Sequence, residues 1–236
     1  MLERTAALSL EGGAFSLEDV KSVQTTAVSS ETANQITHGL GFVLSLAGAM
    51  VMLQSVAGQS DWLQSAGCIV YVCSLVALYA ASTLSHSFAC PRRREFFRTL
   101  DQVCIFLLIA GSMTPFAVTH LREGAWWLLP AIMWTLAVAG IVVRILRGDG
   151  AVTWAFYAMI GWMPILTLPC IVDLSGPTGV GLVIGGGLAY TGGLWFFVND
   201  DRHPYLHAAW HLSTIAGSTC HFLFLQWYVA EWPLVS

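Results

Sequence analysis

Three histidines, an aspartate and a serine stand at the ends of separate apolar stretches of this chain. Ser82 and His86 are four residues apart, Asp101 stands alone, and His207 and His211 are again four apart. Helical residues at that spacing share a face, so each pair presents its polar groups in one direction. Imidazole nitrogens bind zinc at about 2.0 Å, and three protein ligands with one open position is the catalytic pattern of that ion. His86, His207 and His211 would supply the ligands. Asp101 would hold a water or orient a ligand, and Ser82 would hydrogen-bond behind them. The plain alternative is a polar cluster that bridges helices at the level of the lipid headgroups. Both require three distant segments to end at one depth.

Composition supplies the setting. The chain has 236 residues, 56% hydrophobic and only 10% charged, with a mean hydropathy of +0.67. Soluble domains carry about a quarter charged residues, so the expectation is an all-α integral membrane protein. A helical span takes about 20 apolar residues, and seven fit at roughly 35–56, 65–88, 101–119, 125–146, 151–172, 178–198 and 207–229. They leave no room for a second domain. Residues 1–30 mix Glu3, Glu11, Glu18 and Asp19 with Arg4 and Lys21, and suggest a flexible or short surface segment ahead of a transmembrane domain at 31–236. No cleavable signal peptide is expected, because no uninterrupted apolar core follows the first charges. The six cysteines form no C-x-x-C pair and mostly lie inside spans, where packing rather than disulfide formation is expected. The net charge of −4 resides in loops and the tail, and no nucleic-acid partner is expected.

Orientation follows from the ten basic residues. Arg4 and Lys21 precede the first span. Arg92, Arg93, Arg94 and Arg98 lie between spans two and three, Arg144 and Arg147 between four and five, and Arg202 between six and seven. All of these fall on one side, with only Arg122 on the other, which predicts a cytoplasmic N-terminus and an outside C-terminus. Ser82 and His86 then lie at the cytoplasmic end of span two, and Asp101 and His207 open spans three and seven there. His211 is only about 6 Å deeper than His207. The five residues are thus expected at one depth. His38 opens span one at helical spacing from Glu31 and Asn34, and is expected to support the site from the interface rather than to bind metal. His203 belongs to a solvated loop, His120 to the opposite end. His221 stands about 15 Å beyond His211, too far for a shared ion.

These residues also form an ordered set of motifs: Glu31-x-x-Asn34-x-x-Thr37-His38-Gly39, Ser82-x-x-x-His86, Asp101, Gly111-Ser112-Met113-Thr114-Pro115, Gly161-Trp162, Gly185-Gly186-x-x-x-Tyr190-x-x-Gly193 and His207-x-x-x-His211, followed by His221. Over about residues 31–228 the set resembles the hemolysin III family, the bacterial branch of the progestin and adiponectin receptor (PAQR) proteins. Met113 departs from it, where bacterial relatives often carry an aromatic residue, but lies off the metal motifs. The resemblance implies a seven-helix bundle in the bacterial inner membrane with an intracellular N-terminus. It also implies zinc on His86, His207 and His211, with Asp101 contacting a water on the ion and Ser82 beside it. The implied partners are membrane lipids, one of them a substrate or ligand.

Three functions stay open. Zinc beside a carboxylate at interface depth suits hydrolysis of a lipid amide, as in a ceramidase. The same zinc could be structural, in a receptor or a regulator of membrane lipid state. A pore, suggested by the family's name, should carry polar side chains along its whole depth, whereas the ionisable residues here gather at one end. Other features have structural meanings. Gly181, Gly185, Gly186, Gly187, Gly192 and Gly193 would let span six approach its neighbours, and Pro115, Pro164 and Pro169 would bend their helices. Trp62, Trp126, Trp127, Trp227 and Trp232 would anchor the outer interface.

Overall fold

The computed structural model describes residues 17–232, with side chains from residue 30 onward. Its regular elements are α1 (Leu17–Val56), α2 (Trp62–Ser87), α3 (Pro91–His120), α4 (Leu128–Arg147), α5 (Ala151–Trp162), a 3-10 segment (Met163–Thr167), α6 (Leu168–Val198), α7 (Leu206–Leu225) and a π-helical turn (Gln226–Ala230). No strand occurs among the described residues, so the all-α expectation holds. α1 begins at Leu17, inside the N-terminal segment; residues 1–16 lie outside the described residues.

Among the described residues, five stretches are long and apolar enough to cross a membrane: Ser30–Val56, Trp62–Ser87, Pro91–His120, Leu128–Arg147 and Ala151–Val198. The last has 48 residues. As one straight helix it would run about 70 Å, more than twice the roughly 30 Å hydrocarbon layer. It folds back instead. Gly176 takes φ +57°, a left-handed conformation open to glycine, and Pro177 follows it. The return brings Phe197 against Trp154, with ring centres 4.8 Å apart. Pro164 also acts as expected, since the chain tightens into the 3-10 segment around it.

The helix ends follow from local chemistry. Asp61 caps α2 by accepting hydrogen bonds from the Leu63 and Gln64 amides at 3.0 and 3.4 Å. Its carboxylate also pairs with Arg122, the lone basic residue at that end, which ties the α1–α2 turn to the end of α3. Burial works against the Asp61 charge, but Arg122 and the two amides hold the carboxyl below its ordinary value. α3 starts with Pro91 in its first turn and carries Arg92, Arg93, Arg94 and Arg98 as helical residues rather than as a loop. Gly148, at φ +79°, ends α4.

α2 packs most extensively on α3, α7 on α6, and α1 on α2; α1 also touches α7. Close approaches depend on glycines. A Cβ on Gly67 would fall 2.9 Å from the Pro115 backbone, and one on Gly193 would fall 2.7 Å from Ser213. The glycine row of α6 divides accordingly. Gly186 and Gly193 face α7, Gly187 has only the Trp162 ring within 4 Å of an added Cβ, and Gly181, Gly185 and Gly192 have nothing that near. Sequence spacing alone treats all six alike; their facing separates them. All six cysteines are free; Cys68 and Cys104 are buried in the packing, whereas Cys73 and Cys90 are exposed.

Gly67→Leu should force α2 from α3 and lower the thermal midpoint of the detergent-solubilised protein by several degrees. Gly185→Ala should leave it within about a degree. Equal effects would contradict the packing described for these two glycines.

Candidate metal centre

α1, α2 and α7 meet at one end of the bundle, and each contributes imidazoles. His38 comes from α1, His86 from the last turn of α2, and His207 and His211 from the first turns of α7. One ring nitrogen each from His38, His86 and His211 lies within 4.8 Å of the other two, and this trio could hold a metal ion. His207 stands beside it, its ring centre 5.2 Å from that of His86 and 4.5 Å from that of His211. The segments that carry the sequence-derived residues therefore do converge. His38 joins them more intimately than its spacing suggested.

Hydrogen bonds orient three of these rings in the same sense. His86 Nδ1 lies 3.2 Å from Glu31 Oε2, and His207 Nδ1 lies 2.8 Å from Asp200 Oδ2. An ionised carboxylate can only accept, so each imidazole donates from Nδ1. His211 Nδ1 lies 3.0 Å from the Thr37 hydroxyl. That hydroxyl directs its proton to the backbone carbonyls of Ala33 and Asn34, at 2.9 and 3.1 Å, so His211 also donates from Nδ1. In all three rings the Nε2 lone pair remains for a ligand. A ring anchored through one nitrogen and open at the other is how proteins present histidine to metals.

His38 is the reverse. Its Nε2 lies 2.9 Å from Ser82 Oγ, and Ser82 donates to Asp101 Oδ2 at 3.1 Å. The serine proton is committed to the carboxylate, so His38 donates from Nε2, and its Nδ1 is buried with no hydrogen-bond partner. Ser82 and His38 are themselves buried, at 2% and 6% exposure. Asp101 is thus joined to the histidine cluster by one continuous chain of hydrogen bonds.

Ring spacing tests whether a tetrahedral ion fits. Two imidazoles bound to one zinc-like ion place their ring centres about 5 Å apart. His86 to His207 is 5.2 Å, His86 to His211 is 5.3 Å and His207 to His211 is 4.5 Å. Those three suit one ion. His38 to His86, at 5.6 Å, is also compatible, whereas His38 and His211 stand only 3.4 Å apart. Nitrogen positions select His38, His86 and His211; ring spacing and tautomer select His86, His207 and His211. His86 and His211 belong to both sets.

Supporting contacts come from residues that sequence spacing only partly singled out. Glu31 bridges His86 to Arg94, and Gln35 donates to the His86 carbonyl at 2.7 Å, so α1 and α2 are fastened at the site. Glu31 was recognisable from its helical spacing with His38. Asp200 sits in a charged loop and resembles a solvated residue until α7 brings His207 beneath it. The remaining histidines are elsewhere. His120 bonds the Tyr228 carbonyl at 2.8 Å, His221 packs on Gly186 and Val183, and His203 stands in the exposed turn before α7.

Known proteins resemble this chain over most of its length. The model of the family described as haemolysin-III related matches residues 26–222. Hemolysin-3 of Bacillus cereus is 36% identical over 208 residues, covering 87% of this chain and 94% of that protein. A hemolysin-3 homolog of Bacillus subtilis is 30% identical over 212 residues, covering 89% and 99%. The human monocyte to macrophage differentiation factor is 24% identical over 216 residues, covering 85% of each. With its apolar helices and its clustered histidines, this chain is a membrane protein that belongs to the haemolysin-III-related family.

Proposed function

We propose that the protein crosses the membrane seven times and hydrolyses a lipid amide at a zinc site near the cytoplasmic face. The observation that carries this is the set of three imidazoles, each held through Nδ1 and spaced for one ion, beside a carboxylate linked to the same cluster. His86, His207 and His211 would hold the ion; neutral imidazoles suit zinc among the common divalent metals. When bound, zinc would polarise an amide carbonyl and make a neighbouring water more acidic.

The chain's own residues then have definite tasks. Glu31, Asp200 and Thr37 fix the tautomers of His86, His207 and His211, which keeps three lone pairs aimed outward from their anchors. Ser82 holds one oxygen of Asp101, leaving the other to take a proton from the attacking water as general base. The exposed apolar flanks of α1, α4 and α6 keep the site next to lipid, as at Val43, Ile145 and Leu188. A lipid whose amide lies near the headgroup would present it at this depth.

Two facts support the seven-span topology. The Gly176 hairpin divides Ala151–Val198 into two antiparallel lengths, and α7 with its π turn provides a further one. Its polar side chains keep α7 from qualifying on hydropathy alone. The basic residues give the sign, with Arg122 alone opposite the rest. Reporter fusions at the two ends should report a cytoplasmic N-terminus and an external C-terminus; both ends on one side would refute the count.

A second reading has its own support. Glu31, Arg94, His86 and Gln35 already fasten α1 to α2 and α3, so an ion shared with α7 would complete a structural clasp. A receptor or lipid-state regulator would need nothing more. The two separate on one comparison. The parent should contain about one zinc per chain and release fatty acid from a lipid amide in mixed micelles. Asp101→Ala should keep its zinc and lose at least about 100-fold in turnover. Zinc retained with no product from any lipid amide, in parent or variant, would reject hydrolysis and leave the clasp.

A further inference from the structure

We infer that the first turns of α3 form a docking surface for an anionic phospholipid, whose phosphate is held by the guanidinium groups of Arg92 and Arg93. The surface is independent of any ion in the histidine cluster. α3 has 30 residues and runs about 45 Å, against a hydrocarbon layer of roughly 30 Å. His120 and the Asp61-paired Arg122 stand at its far end. The surplus length therefore falls at the N-terminal end, where the arginines are, at the level of lipid headgroups.

The basic residues there are not equivalent. Arg94 is paired with Glu31, and Arg144 on α4 lies 3.9 Å from Glu95. Arg92, Arg93 and Arg98 are exposed and have no hydrogen bond or ion pair among the described residues. The Arg93 guanidinium rests over the Phe88 ring, 5.7 Å from its centre, and Phe88 stacks on Phe97 at 5.1 Å. An exposed arginine alone marks nothing; what lies below it does. Arg93, Phe96 and Leu100 follow one another at spacings of three and four, and Arg92 precedes Phe96 by four, so these side chains share one face. Phe96 is 62% exposed and Leu100 37%. They lie about 6 and 12 Å along the helix from Arg92. A basic edge above an apolar strip matches a phospholipid, with its phosphate at the edge and an acyl chain along the strip.

The residue type adds selectivity. Any cation would bias the orientation of a span, but a guanidinium presents a fork that matches two phosphate oxygens, which an ammonium does not. The one carboxylate in this stretch, Glu95, is turned toward Arg144, which leaves the edge net positive. A zwitterionic headgroup brings its own cation and is attracted less than an anionic one. Arg94, in the same turn, reaches through Glu31 to His86. A lipid docked here lies beside the turn that anchors the cluster.

Native mass spectrometry of the full chain in detergent, titrated with phosphatidylglycerol or phosphatidylcholine of matched acyl chains, tests this. The parent should retain phosphatidylglycerol at least about 10-fold more strongly, and Arg92→Ala/Arg93→Ala should abolish that preference. Arg92→Lys/Arg93→Lys keeps the charge, and with it the membrane orientation, yet should lose about 3-fold in retention. Equal retention of the two lipids by the parent would overturn the proposal, even where a variant fails to fold. Undiminished phosphatidylglycerol retention in either variant would overturn it as well.

Discussion

Everything at the histidine-bearing end of the bundle depends on one constraint: an imidazole placed against hydrocarbon must have its hydrogen-bonding groups satisfied. Four histidines share a small volume here, and no two solve the problem through the same partner. Glu31 serves His86, Asp200 serves His207, Thr37 serves His211 and Ser82 serves His38. The partners lie on α1, on α2 and in the turn before α7, so satisfying the rings also dictates how these helices meet. What is left over is a group of bare lone pairs facing a common space. Those lone pairs are what the proposed ion would use.

The rest of the bundle keeps those helix ends in register. α2 and α3, which carry His86 and Asp101, approach closely at Gly67 and Pro115. α7 lies against α6 through Gly186 and Gly193, and its midsection is pinned by Tyr79 and Tyr190, which share Ser218 at 2.9 and 2.7 Å. Tyr79 links α2 to α7 about two turns from His86 and His211, on the same two helices that carry them. At the other end the Asp61–Arg122 pair closes the α1–α2 turn onto α3. α1 presents a long exposed apolar flank from Ile36 to Leu53.

Much of this was legible in the sequence. The spacing of Ser82 with His86 and of His207 with His211, read against the sorting of basic residues, was enough to expect the five polar residues together. Periodicity and charge are properties of whole segments, and they survive without knowledge of packing. The hydropathy of Ala151–Val198, by contrast, hides its hairpin, because Gly176 and Pro177 interrupt the chain without interrupting its apolar character. Three-dimensional facing was also beyond reach. Gly185 and Gly186 are neighbours in sequence, yet only Gly186 meets α7. Asp200 looked like one more loop charge, and His38 like a supporting residue at the interface whose bond to Ser82 no spacing foretold. Their roles come from which side of α1 and α7 turns inward, and no spacing rule contains that.

The central claim is that His86 and His211 share one metal ion with their neighbours. Anomalous diffraction at the zinc edge, from crystals of the protein grown in lipid without chelator, tests it most directly. A single peak about 2 Å from a ring nitrogen of both His86 and His211 is expected. Density that shows the two imidazoles hydrogen-bonded to protein or water, with no anomalous peak between them, would contradict it.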